Sequence, residues 1–173
     1  MAADSVDVLL VEDNPQEAEI VRLYLAKRYS RPYVVRHAKT IAAALTEIKN
    51  GSLPSVILLD LHLPDAKGLD GFERISRAAA GVPVIILTNF NEESTASRAV
   101  RAGAQDYLVK REVNAALLHR AIIYAMERQR AEQALLKVKE RYALAATGAN
   151  DCIWDWQADG GQTYFSPRWN DLV

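Results

Sequence analysis

Apolar residues along this chain fall into short strand-like runs separated by longer stretches in which they recur every three or four positions. Val56-Ile57-Leu58-Leu59 and Val84-Ile85-Ile86-Leu87 are unbroken, the pattern of central strands covered on both faces. With Val8-Leu9-Leu10-Val11 and two further runs, strands are predicted near residues 6–11, 33–37, 55–60, 83–88 and 106–109. Helical spacing fills the intervals near 15–28, 40–50, 70–79, 92–102 and 113–146. Pro15 suits a first helical turn, and Thr40 before Ile41 reads as an N-cap. Gly51 and Gly103 follow apparent helix ends, where left-handed geometry is expected.

Strict alternation of strand and helix implies a parallel sheet with right-handed crossovers. Five such units predict a flavodoxin-like (βα)5 fold of order 2-1-3-4-5. The last helix is different, because from Asn114 to about Ala146 it contains no Gly or Pro. A rod of that length measures about 50 Å, whereas a compact domain of about 125 residues is only some 35 Å across, so the helix is expected to leave the domain. Leu117, Ala121, Tyr124, Ala131, Leu135, Val138, Tyr142 and Ala145 follow 4-3 spacing interrupted at Arg128, which predicts a coiled coil.

After Gly148 the pattern changes again. Asp151-Cys152-Ile153-Trp154-Asp155-Trp156, a turn at Ala158-Asp159-Gly160-Gly161, and Gln162-Thr163-Tyr164-Phe165 read as a β-hairpin. The predicted organisation is therefore a domain over 1–127, an extended helical linker over 128–147 and an incomplete second unit over 148–173.

Composition narrows the class. Half of the 173 residues are hydrophobic, enough for a packed α/β core, and a net charge of −1 gives no global basic field for nucleic acid. One cysteine, Cys152, excludes an internal disulfide framework and fits a reducing cytoplasm. No apolar run approaches the roughly 20 residues of a membrane span, and Met1-Ala2-Ala3-Asp4-Ser5 does not read as a signal peptide. The expectation is a soluble cytoplasmic protein that touches neither membrane nor nucleic acid.

The chemistry lies where the strands end. The first runs into Glu12-Asp13, the third ends at Asp60, the fourth runs into Thr88-Asn89 and the fifth into Lys110. Ligands of open parallel sheets bind at the carboxyl ends of strands, so three acids, a hydroxyl and an ammonium are expected at one edge. Clustered carboxylates repel unless a cation joins them, and hard oxygen ligands suit Mg²⁺. One carboxylate can then accept a phosphoryl group, while Thr88 and Lys110 supply donors and positive charge.

With these residues in place, residues 5–127 resemble the receiver domain of two-component response regulators. The resemblance implies that Glu12 and Asp13 hold Mg²⁺ together with Asp60 and the backbone carbonyl of His62. Asp60 matches the phosphoacceptor, Thr88 the switch hydroxyl, Lys110 the phosphate-binding lysine and Tyr107 the aromatic switch position. Leu63-Pro64-Asp65-Ala66-Lys67-Gly68 matches the loop after the acceptor. His62, Asn89 and Phe90 would flank the pocket. Asn89 departs from the usual small residue and narrows access, and Arg111 departs from Pro or Gly. The implied donor is a histidine kinase or phosphotransfer protein, and the chain is a regulated phosphoacceptor, not a turnover enzyme. Arg141 to Phe165 resembles the start of a PAS sensory domain, with the output carried by other sequence. The helical stripe is expected to pair two chains as a parallel homodimer.

Other readings fit less well. A phosphatase of the haloacid-dehalogenase type would want a second aspartate two residues after Asp60, where His62 stands. A nucleotide-binding fold wants a Gly-rich first turn, and Glu12-Asp13-Asn14-Pro15 instead repels phosphate. An unphosphorylated dimerisation module is the remaining alternative. Taken singly, Thr88 reads as a strand residue, Lys110 as a surface charge, Tyr107 equally as packing, and His37, His62 and His119 as surface or packing residues. The charged residues from Glu127 to Arg141 alternate in sign, as on a solvated helix face.

Overall fold

The computed structural model describes residues 5–27, 31–89, 93–148, 154–156 and 163–165. Five strands, β1 (Val6–Val11), β2 (Tyr33–Ala38), β3 (Val56–Asp60), β4 (Val84–Thr88) and β5 (Asp106–Val109), form one sheet of order β2-β1-β3-β4-β5. Every adjacent pair is parallel. The intervening helices are α1 (Pro15–Leu25), α2 (Ile41–Asn50), α3 (Asp70–Ala78) and α4 (Glu93–Arg101), and α5 (Ala115–Gly148) follows β5. The flavodoxin-like (βα)5 order is the one the alternation predicts.

Side chains alternate across the sheet, as strand geometry requires. Val8, Leu10, Leu58, Ile85 and Leu87 pack with Ala18 and Val21 of α1 and with Leu118 and Ile122 of α5. Leu9, Val11, Ile57, Leu59 and Ile86 pack on the opposite face with Ile41, Ala44, Phe72, Ile75 and Ala99. Strands β3 and β4 are buried throughout, which is why their sequences carry no polar residue before the last position.

The local signals act largely as expected. Pro15 occupies the first turn of α1, and Asn14, not singled out from the sequence, caps that helix by accepting from Gln16 N at 2.9 Å. Thr40 caps α2 through Ala43 N at 3.1 Å. Helix α5 begins at Ala115, two residues later than its spacing predicts, because Lys110–Glu112 forms a 3-10 turn and Val113 is extended. Gly51 corrects an expectation: it caps α2 with φ −120 and ψ −172, in extended geometry. Gly103 does adopt positive φ.

Glycine matters most in the connection from β3 to α3. Gly68 has φ +56, which side-chain-bearing residues rarely adopt. At Gly71 a Cβ would stand 2.9 Å from Ile41 Cδ1 and 3.2 Å from Ala66 Cβ, so its absence lets α3 approach α2.

Packing divides the chain into two units, Met1–Arg130 and Ala131–Val173. Two seam residues belong to the first unit's own packing. Ala121 is buried in the core, and Arg128 donates to the Gln105 carbonyl at 3.3 Å. In the second unit the α5 residues from Ala131 to Ala143 are exposed, among them Leu135 at 56%, Val138 at 63% and Tyr142 at 54%. Strands β6 (Trp154–Trp156) and β7 (Thr163–Phe165) pair antiparallel, with Trp154 opposite Phe165. No helix among the described residues is long and apolar enough to cross a membrane.

Candidate functional site

Strand register assembles the site. Val11 pairs with Leu59, so Glu12 and Asp60 follow at the next level of neighbouring strands. Asp60 pairs with Leu87, one residue before Thr88, and Thr88 pairs with Val109, one residue before Lys110. Residues from four strands thereby meet at one edge. Glu12, Asp60 and Thr88 are all buried, at 0, 4 and 1% exposure.

Lys110 is the electrostatic centre. Its ammonium donates to Glu12 Oε2 at 2.6 Å, to Asp60 Oδ2 at 2.8 Å and to Glu17 Oε2. An ammonium has three N–H donors, and all three are engaged. Burial by itself would lower the Lys110 pKa, but the bonds to Asp60, Glu12 and Glu17 outweigh it and raise it, so the lysine stays charged. Glu12 shows the opposite balance: burial pushes its carboxyl up and prevails over the downward pull of Lys110, with Asp60 adding repulsion.

The remaining bonds fix the carboxylates. Glu12 Oε1 accepts from Asn14 N at 3.1 Å, and its backbone carbonyl lies 2.7 Å from His37 Nε2. Asp60 Oδ1 accepts from His62 N at 3.1 Å, while the His62 ring is half exposed, with Nδ1 3.7 Å from the same oxygen. Tyr107 is partly buried on the face shared by Ile86 and Ala99. Thr88 continues the parity of Val84 and Ile86, which points it to that face as well. Phe90, expected beside the pocket, lies outside the described residues. Asn89 is exposed and donates to Glu17 Oε1 at 3.1 Å.

Glu17 was not expected here. It stands three residues after the cap Asn14, a spacing that reads as a capping box, yet its carboxylate reaches Lys110 and Asn89. Burial works to raise its pKa, but hydrogen bonds from Lys110 and Asn89 outweigh this and lower it. Beside it a cleft of about 220 Å³ is lined by Ile20, Val21, Tyr24 and Val113 together with Glu12, Glu17, Asn89, Lys110 and Arg111.

Glu12, Asp13 and Asp60 each bring one carboxylate oxygen to within 4.8 Å of the others. With Glu17 nearby, four carboxylates face a single ammonium among these contacts, a net negative cluster with hard oxygen donors. That set fits Mg²⁺.

Fold and edge together define a receiver module. The response regulator receiver domain model matches residues 8–122, and the chain belongs to that family. Among its relatives is the methanogenesis regulatory protein FilR1 of Methanothrix harundinacea, 34% identical over 144 residues, which covers 82% of this chain and 30% of the relative. The luminescence regulatory protein LuxO of Vibrio campbellii is 34% identical over 101 residues, 58% of this chain and 21% of that protein. The chain thus spans less than half the length of these curated relatives. Among solved structures, the signal receiver domain assigned to a LuxO repressor protein of Vibrio parahaemolyticus superposes with a TM-score of 0.65 at 31% identity, covering 76% of this chain and 97% of that one.

Proposed function

We propose that this chain is a phosphorylation-controlled switch whose phosphoacceptor is Asp60. The observation that carries the reading is a buried carboxylate at a strand end, bonded to Lys110 and grouped with Glu12 and Asp13. A histidine kinase or phosphotransfer protein supplies the phosphoryl group: the P–N bond to the donor imidazole breaks as a P–O bond to Asp60 forms. Glu12, Asp13, Asp60 and the His62 carbonyl would hold Mg²⁺, which when bound neutralises the crowded carboxylates and withdraws charge from the phosphoryl oxygens. The Lys110 donor that serves Asp60 Oδ2 turns to a phosphoryl oxygen, and the Thr88 hydroxyl donates to another. Tyr107, on the same face as Thr88, relays the change as a bias on a two-state equilibrium. Loss of the signal is attack by water on phosphorus, releasing inorganic phosphate and regenerating Asp60; His62 and Asn89 border that path.

The helix beyond the receiver and the paired strands Trp154–Trp156 and Thr163–Phe165 read as a linker and a PAS-like start, and the reading is of a cytoplasmic signalling component. A solved structure similar to this fold, at 25% identity and a TM-score of 0.62, is the N-terminal domain of a response regulator/sensory box/GGDEF three-domain protein of Carboxydothermus hydrogenoformans. That arrangement is consistent with a receiver feeding a sensory module.

The test is incubation with Mg²⁺ and a small acyl-phosphate donor, followed by intact mass. One phosphoryl group is expected on the parent and none on Asp60→Asn, and none without Mg²⁺. Equal gain by Asp60→Asn overturns the assignment.

A further inference from the structure

We propose that Glu17 is a latch that holds the site at rest by tying Asn89, just beyond β4, to Lys110, just beyond β5; the inference rests on the phosphorylation reading above. Glu17 sits on α1, away from the strand ends, and its two oxygens serve two different partners. Oε2 accepts from Lys110 and Oε1 accepts from Asn89 Nδ2 at 3.1 Å. Capping does not account for this placement. The backbone N–H of Asn14, which a capping-box glutamate would take, is bonded to Glu12 Oε1 at 3.1 Å.

The two bonds respond differently to phosphorylation. Lys110 has three donors, on Glu12, Asp60 and Glu17. When Asp60 carries a phosphoryl group, the donor on Asp60 transfers to a phosphoryl oxygen while Glu12 and Glu17 keep the others. The Asn89 bond has no such substitute. Asn89 directly follows Thr88, so a shift that brings the Thr88 hydroxyl to the phosphoryl group carries Asn89 with it. A displacement of about 1 Å takes a 3.1 Å contact beyond hydrogen-bonding range. The bond therefore exists in the resting arrangement alone, and an interaction made in only one of two states biases the equilibrium toward that state.

Two measurements test the latch. The first is the phosphorylation rate with Mg²⁺ and a small acyl-phosphate donor for the parent, Asn89→Ala, Glu17→Ala and the double variant. Asn89→Ala removes the bond without changing charge and should react roughly threefold to fivefold faster, the size of one hydrogen bond at a partly exposed site. Asn89→Ala also widens access to Asp60, so the double variant decides. Under the latch it reacts no faster than Glu17→Ala, whereas an access effect multiplies in that background as well. The second is amide hydrogen exchange of the segment around Thr88 and Asn89 in the metal-free protein, expected to quicken in both single variants. Multiplying rates, an unaccelerated Asn89→Ala, or unchanged exchange overturns the latch. A parent that gains no phosphoryl group overturns the phosphorylation reading instead, and the exchange result then still decides the latch.

Discussion

Lys110 and Asp60, 50 residues apart in the chain, meet at 2.8 Å at the ends of two strands that are not neighbours in the sheet. The Lys110 side chain reaches past β4 to do so and is 12% exposed, against 1% for the Glu12 side chain alone and 4% for that of Asp60. An ion pair this enclosed is costly to break from one side, because the partner is left as an uncompensated buried charge. Lys110→Met should therefore destabilise the metal-free protein by about 3 kcal/mol at neutral pH. Urea unfolding measures the loss, and added Mg²⁺ should restore part of it by supplying the missing positive charge.

Glu12→Gln should do the opposite. Burial holds the Glu12 carboxyl above the ordinary carboxylate range, more strongly than Lys110 pulls it down. A carboxyl whose folded pKa is raised adds stability below its unfolded pKa and loses that contribution as pH rises through the folded value. At neutral pH the charged Glu12 is a net cost, so Glu12→Gln should melt at higher temperature in chelator. The gain should fade toward pH 4. The same variant should gain less from Mg²⁺ than the parent does, since ligand stabilisation scales with affinity.

These relationships differ in how far the sequence discloses them. The sheet and the edge carrying Glu12, Asp60, Thr88 and Lys110 were legible because a parallel fold demands unbroken apolar strands and puts the polar residues that end them on one edge. Glu17 was not legible. Its spacing from Asn14 is a local capping signal, and only the fold brings Lys110, 93 residues away, to its carboxylate. Arg128 reads as a break in a coiled-coil stripe, yet it bonds the Gln105 carbonyl in the receiver's own unit. Periodicity along one helix records which positions are apolar, not which surface covers them. Gly51 carries the composition of a left-handed cap, but the chain leaves α2 extended toward β3.

Thr88→Ala should separate accepting a phosphoryl group on Asp60 from responding to it. Thr88 lies at the end of β4, and its neighbour on the same face, Tyr107, is only partly buried. Asp60 and Lys110 are untouched by the substitution, so phosphorylation should remain within about threefold of the parent, the weight of one hydrogen bond. Tyrosine fluorescence or exchange around Tyr107, which should change on phosphorylation of the parent, should stay flat in the variant. A full response in Thr88→Ala would remove the hydroxyl from the relay.

Asp65 is expected to hold the loop after Asp60 in place. Its carboxylate accepts from Ile41 N at 3.0 Å and Ala42 N at 2.9 Å, the first backbone donors of α2. Asp65→Ala should cost about 1 kcal/mol at neutral pH, the usual weight of a helix-terminus cap. The slight burial of Asp65 acts to raise its pKa, but the N–H groups of Ala42 and Ile41 outweigh this and lower it. The contribution is therefore present above the unfolded carboxylate pKa and is lost as pH falls through the lower folded value. Denaturation midpoints of parent and variant should differ at pH 7 and converge under strongly acidic conditions.

Residues 131–143 are the expected seam of a homodimer. Leu135, Val138 and Tyr142 keep 4-3 spacing and are each more than half exposed, as is Leu136 beside them. Leaving such a stripe in water costs roughly 25 cal/mol for every Å² of apolar surface, and a second copy offers the same stripe in matching register. A parallel homodimer through this segment is the expected state. Because Ala121 and Arg128 are committed to the receiver's own unit, the seam should begin only after Arg130. Light scattering of the full chain beside a version ending at Arg130 checks this. The full chain should be dimeric at micromolar concentration and the short version monomeric. Leu135→Asp with Val138→Asp should dissociate the full chain without lowering the stability of the receiver unit, since neither side chain enters its core. A short version that dimerises as tightly as the full chain would place the interface on the receiver.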